Sequence, residues 1–198
     1  MVINKTRYQK YLLILATPII AELLSGSTPF AVFFKPPIFL TYVGFYGCGA
    51  LLIREIAARK KINYVNILLW GASFGVLEEG ILLKSLYDPT WMGAAITSQA
   101  LRVSGVSILQ PFANIVYHAI ISITIPILLT ESFTGIRKPW LSKKWLILTA
   151  LVFMAAASVM GLTFNRDYQI SISHYLFSIL ILIIFIAAAN IRFSMPDG

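Results

Sequence analysis

Apolar residues gather into six blocks along the chain, separated by short polar connections. The blocks run Tyr8–Leu24, Ile38–Ala57, Tyr64–Leu86, Phe112–Ser132, Trp145–Phe164 and Ser171–Ile191. Each lies near the ~20 residues a helix needs to cross a bilayer. In lipid the backbone must satisfy its own hydrogen bonds, which a helix does within one segment. The pattern predicts an all-α fold: a polytopic membrane helical bundle of about six transmembrane helices, forming one integral membrane domain over residues 1–198. Lys5, Arg7 and Lys10 ahead of the first apolar run have the look of a signal peptide. Pro18 and Glu22 interrupt the stretch where a small-residue cleavage site would form, so the first helix is expected to be retained.

Basic residues alternate between the connections. Lys5, Arg7 and Lys10 precede span one, and Arg59, Lys60 and Lys61 follow span two. Arg137, Lys138, Lys143 and Lys144 join spans four and five, and Arg192 ends span six. The intervening connections hold Lys35, Arg102 and Arg166, with Lys84 at their edge. The positive-inside rule then places both termini in the cytoplasm. Composition agrees: 58% of residues are hydrophobic and 12% charged, with mean hydropathy +0.80, where a soluble domain is about 25% charged. The chain is expected to be a multi-pass protein of the cell membrane, with the lipid bilayer as its surroundings. The net charge of +8 is no nucleic-acid signature, because the basic residues flank apolar spans and set topology. No nucleic-acid partner is expected. The single cysteine, Cys48, excludes an internal disulfide.

Against this background the polar residues inside the spans stand out. Glu78 and Glu79 are adjacent in span three, where a charge costs about 2.5–3.5 kcal/mol on insertion scales. Gly71, Gly75 and Glu79 share one helix face at i, i+4 and i+8, so a neighbouring helix packed on the glycines puts Glu79 at a helix seam. Glu78 is turned about 100° away on an α-helix. Span four carries Asn114, His118 and Ser122 at i+4 spacing above Pro126. Span six carries Ser171, His174 and Ser178. Counting residues from the span ends brings the two glutamates, His118 and His174 to one depth in the outer third of the bilayer. Arg54 and Glu55 are neighbours in sequence, cannot face each other on a helix, and read as structural. Lys84 is expected to snorkel to the interface. Glu22 faces either water or the bundle interior. The connection 87–111 has the composition of an interfacial segment and the position of a lid.

Two carboxylates with two imidazoles suit proton-transfer chemistry at neutral pH. A glutamate can take a proton from water, while His174, His118 or Asn114 can donate to the oxyanion formed when that water attacks an amide. The same groups could ligate zinc, but the chain has neither an HExxH pair nor a cysteine cluster, so the pattern singles out no metal ligand and gives no reason to expect a soluble cofactor. The order Glu-Glu, then His, then His on successive spans resembles the CAAX prenyl protease and bacteriocin-processing family of intramembrane proteases. Their motifs are EExxxR, FxxxH and HxxxN on a polytopic α-bundle. Glu78-Glu79 matches the first pair, His118 the second motif's histidine and His174 the third's. Leu83 stands where the family has Arg, Asn114 where it has Phe, and Ser178 where it has Asn. The resemblance implies a peptidase with a membrane-protein or peptide substrate. Glu78 or Glu79 would activate the water, and His118 and His174 would serve the oxyanion with Asn114 and Ser178 in support.

A different class fits the same architecture. Six spans, cytoplasmic termini and an outward polar pocket resemble the substrate-binding subunits of vitamin-type membrane transporters. There the same side chains would hold a small molecule, and the Ala155–Ala157 and Ala187–Ala189 faces would dock a partner helix. A third class is a structural or chaperone-like membrane protein with a buried polar network.

Overall fold

The structure, a computed structural model, describes residues 8–88, 90–91, 102–103, 106–107, 109–134 and 138–191. Six long helices form a bundle among the described residues: α1 over 9–24, α2 over Pro36–Lys60, α3 over Tyr64–Leu82, α4 over Leu109–Phe133, α5 over Lys143–Thr163 and α6 over Ile172–Ala189. The last five are long and apolar enough to span a membrane. A single helical turn, Phe30–Phe33, sits between α1 and α2, and Arg102–Val103 pairs antiparallel with Val106–Ser107 between α3 and α4. The segment expected to act as a lid lies largely outside the described residues.

Local chemistry sets the helix ends. Pro36 and Pro37 open α2, where a missing N–H costs nothing. Asn63 caps α3 in a reciprocal box with Asn66. Asn66 then donates its amide protons to the Ala189 and Ile191 carbonyls, at 3.0 and 2.6 Å, tying the start of α3 to the end of α6.

α2 and α3 form the centre. They bury 56% and 61% of their most apolar stretch, against 22% for α5 and 11% for α6. α3 packs on α4 and α6, and α2 on α1 and α5. Leu151, Met154 and Leu162 of α5 and Phe177, Leu180 and Ile183 of α6 are exposed, the placement expected where lipid covers the surface. Rings from three helices fill the middle: Phe45 lies 4.7 Å from Phe74 and 5.4 Å from Phe153 between centroids. The α3–α4 approach depends on glycine. A Cβ at Gly71 would lie 2.8 Å from Ala119 Cα, and one at Gly75 would lie 2.9 Å from His118 Cβ.

Two expectations are corrected here. Arg54 and Glu55 do meet, at 3.1 Å, because the long guanidinium arm bends back over its own turn. Arg54 also pairs with Glu131 at 3.0 Å, donates to the Lys138 carbonyl at 2.6 Å and lies 3.6 Å from the Trp140 ring centroid. Glu55 in turn accepts from the Trp140 amide and pairs with Arg59. This network locks α2, α4 and the α4–α5 connection at one end of the bundle. Lys84 does not snorkel. It is buried and donates to the Tyr168 carbonyl at 2.7 Å, with its backbone at φ 58° turning the chain out of α3.

Candidate functional site

Four of the long helices change pitch at one place each. Ile19–Leu24 in α1, Val43–Gly47 in α2, Val76–Leu82 in α3 and His118–Thr124 in α4 are π-helical. Such turns are rare and concentrate at functional sites. Here they carry Glu22, Tyr46, Glu78 with Glu79, and His118. The wider i→i+5 turn spreads one rotation over more residues, so neighbouring side chains diverge by less than on an α-helix. Within these turns Glu78 and Glu79 both reach His118, one beside each ring nitrogen.

The contacts form one cluster. His118 Nε2 lies 3.0 Å from Glu79 Oε1. On the opposite edge of the ring, Nδ1 lies 3.0 Å from Ser122 Oγ and 3.3 Å from Glu78 Oε2. Ser85 donates to Glu79 Oε2, and Asn114 lines the same cavity as Glu79. The Tyr46 hydroxyl contacts Glu78 Oε1 and sits 2.5 Å from Glu22 Oε1. Thr28 donates to Glu22 Oε2 at 2.5 Å and lies 3.0 Å from the Tyr42 hydroxyl. Glu78 is 1% exposed, Glu79 7%, His118 4% and Glu22 8%. Glu78 Oε2 is close to Nδ1 but not aligned with it, and among the described residues it makes no hydrogen bond.

A cavity of about 730 Å³ opens on this cluster. Glu22, Glu78, Glu79, Asn114 and His118 supply its polar wall, and Val32, Leu83, Met160 and Phe164 part of its apolar one. One oxygen of each glutamate and one nitrogen of His118 lie within 4.8 Å of one another. These three side chains, Glu78, Glu79 and His118, meet on one wall of the cavity.

The remaining expected residues are placed elsewhere. His174, expected beside the glutamates, sits in the first turn of α6. There Ser171 caps its amide, its Nδ1 lies 3.0 Å from Ser171 Oγ, and its ring stacks on Tyr87 at 4.4 Å. Matching depth fixes only one coordinate, and the rotation of α6 gives this face to Tyr87. Ser178, also on that face, is buried, contacts the Tyr87 hydroxyl at 2.7 Å and abuts the Gly80 carbonyl at 3.4 Å. It supports the α3 turn from behind and does not touch the carboxylates. Glu22 resolves toward the bundle interior. Tyr46 and Ser85 were not picked out in the sequence. Tyr46 is one hydroxyl in an apolar run and breaks no pattern there.

A family model described as an uncharacterized membrane protein family matches residues 11–196. No curated protein and no solved structure matches the chain. The chain belongs to that family and is a multi-pass membrane protein.

Proposed function

We propose that this family member is an intramembrane hydrolase in which Glu78 activates a water for attack on a peptide carbonyl. The observation that carries the reading is the meeting of Glu78, Glu79 and His118 on one wall of a cavity of about 730 Å³. Glu78 Oε2, the buried carboxylate oxygen without a hydrogen bond, is the acceptor left for a water proton. The water oxygen bonds to the carbonyl carbon, and its proton passes to Glu78. Asn114, on the same cavity wall, donates to the resulting oxyanion. Collapse breaks the C–N bond, and the leaving amine takes the proton back from Glu78. Glu79, held by Ser85, fixes the His118 ring. His174 and Ser178 act at a distance, by seating Tyr87 and the Gly80 turn. The substrate class is a membrane-embedded or membrane-anchored peptide, whose apolar part suits the Leu83, Met160 and Phe164 wall. The resemblance to the CAAX prenyl protease and bacteriocin-processing family supports the same chemistry.

The test uses the purified protein in proteoliposomes with membrane-anchored reporter peptides in heavy-oxygen water. The expected result is a cleaved product whose new carboxylate carries the solvent oxygen. Intact reporters across the panel would overturn the reading. The cavity volume also falls within the ~300–1,000 Å³ of small-ligand sites, which favours a substrate-binding subunit of a small-molecule transporter as the second reading. A small molecule retained through purification, with reporters uncut, would select it.

A further inference from the structure

We propose that Glu22 and Glu78 share a single proton through Tyr46, making Glu22 the proton reservoir of the site and Tyr46 its relay. The Tyr46 oxygen is in hydrogen-bond contact with Glu22 Oε1 and with Glu78 Oε1. A phenol has one proton to donate, so it satisfies one carboxylate only. If both carboxylates were ionised, the second contact would press two acceptor oxygens together in a buried site. One carboxyl therefore carries a proton and donates it to the Tyr46 oxygen, while Tyr46 donates to the other.

Two arrangements satisfy every contact. In one, Glu22 Oε1–H donates to Tyr46 and Tyr46 donates to ionised Glu78. In the other the roles are exchanged. They interconvert when Tyr46 passes its own proton to one carboxylate as it takes the other's, so no hydrogen is gained or lost. The surroundings let Glu22 serve in both. Thr28 donates to Glu22 Oε2 in either state, with its own oxygen turned to the Tyr42 hydroxyl. Glu78 has His118 Nδ1 beside its second oxygen. The titratable groups facing the pair are Tyr42 and Tyr46 from α2, Glu79 from α3, and Tyr117 and His118 from α4. The neutral carboxyl also reduces the charge the bundle must hold at membrane depth. When the proton rests on Glu22, Glu78 is left ionised, the form that accepts a proton from water.

The shared proton does not depend on hydrolysis, and its test needs no substrate. Infrared spectra of the purified protein, recorded at neutral pH in light and heavy water, report protonated carboxyl groups directly. Compared with wild type, Glu22→Gln and Glu78→Gln are each expected to lose one protonated-carboxyl band. In either variant the glutamine amide donates to Tyr46 and leaves the surviving carboxylate ionised. Glu131→Gln, at the other end of the bundle, is the control and keeps the band. Tyr46→Phe is expected to shift the band, since the acid loses its hydroxyl partner. Unchanged unfolding temperatures for Glu22→Gln and Glu78→Gln confirm that the fold is intact. A band that persists in Glu22→Gln or in Glu78→Gln, or that is missing from wild type, would overturn the proposal.

Discussion

Glu79 Oε1 and His118 Nε2 meet at 3.0 Å across a seam that two glycines hold closed. The contact exists only because α3 and α4 approach to backbone distance at Gly71 and Gly75. Overpacking a tight core costs about 1–3 kcal/mol, and the neighbour at Gly71 is the Ala119 backbone, which cannot rotate aside. Gly71→Val is expected to lower stability by at least that amount, with Gly71→Ala intermediate. Thermal unfolding in detergent measures both, and an unchanged transition would contradict the seam.

The ion network at the far end of the bundle gives a second expectation. Arg54 is fully buried and compensates Glu55 and Glu131. Removing one partner of a buried ion pair costs about 3–5 kcal/mol, because the other charge is left uncompensated. Arg54→Leu alone should be destabilised by that order. Replacing Arg54, Glu55 and Glu131 together with apolar residues should cost less than the single change. Equal losses in the two proteins would show that the charges are not coupled.

A third expectation concerns acid. Asp88 lies in the connection beyond α3, where Thr90 donates to Oδ1 at 2.8 and 2.7 Å and Asn165 donates to Oδ2 at 3.0 Å. Burial pushes its carboxyl upward, but Thr90, Asn165 and nearby Lys84 outweigh it and hold the carboxyl below its ordinary 3.8. A depressed folded value contributes stability that is full above the unfolded value. That stability fades as pH falls through the folded one. Stability should therefore decline below about pH 3.8 in wild type, and Asp88→Asn should lose that part of the decline. Unfolding followed across acid pH checks the difference, and superimposable curves would exclude Asp88 from it.

The architecture was legible because lipid imposes a simple rule: each helix needs about 20 apolar residues; six such runs can be counted, and five of the described helices, α2 to α6, are long and apolar enough to span a membrane. Gly71 and Gly75 marked the seam for a similar reason, since their spacing puts both on one face. The site was readable in part. Glu78, Glu79 and His118 are expensive in an apolar helix and therefore visible, and residue counting put them at one depth. Depth carries no information about rotation, which is why His174 was placed with them and belongs with Tyr87. The π turns leave no trace in hydrophobic spacing, so the grip of both glutamates on one imidazole could not be read from it. Glu131 and Arg54 lie 77 positions apart, and no local pattern links them. Tyr46 hid as an ordinary aromatic, although its hydroxyl joins two carboxylates.

The role of Glu78 is tested most directly by comparing wild type with Glu78→Gln in cleavage of a membrane-anchored reporter peptide by purified protein in liposomes. A general base contributes about 10²–10⁴-fold, so the variant should cleave at least about a hundredfold more slowly while unfolding at the wild-type temperature. Cleavage by Glu78→Gln at the wild-type rate would contradict the account.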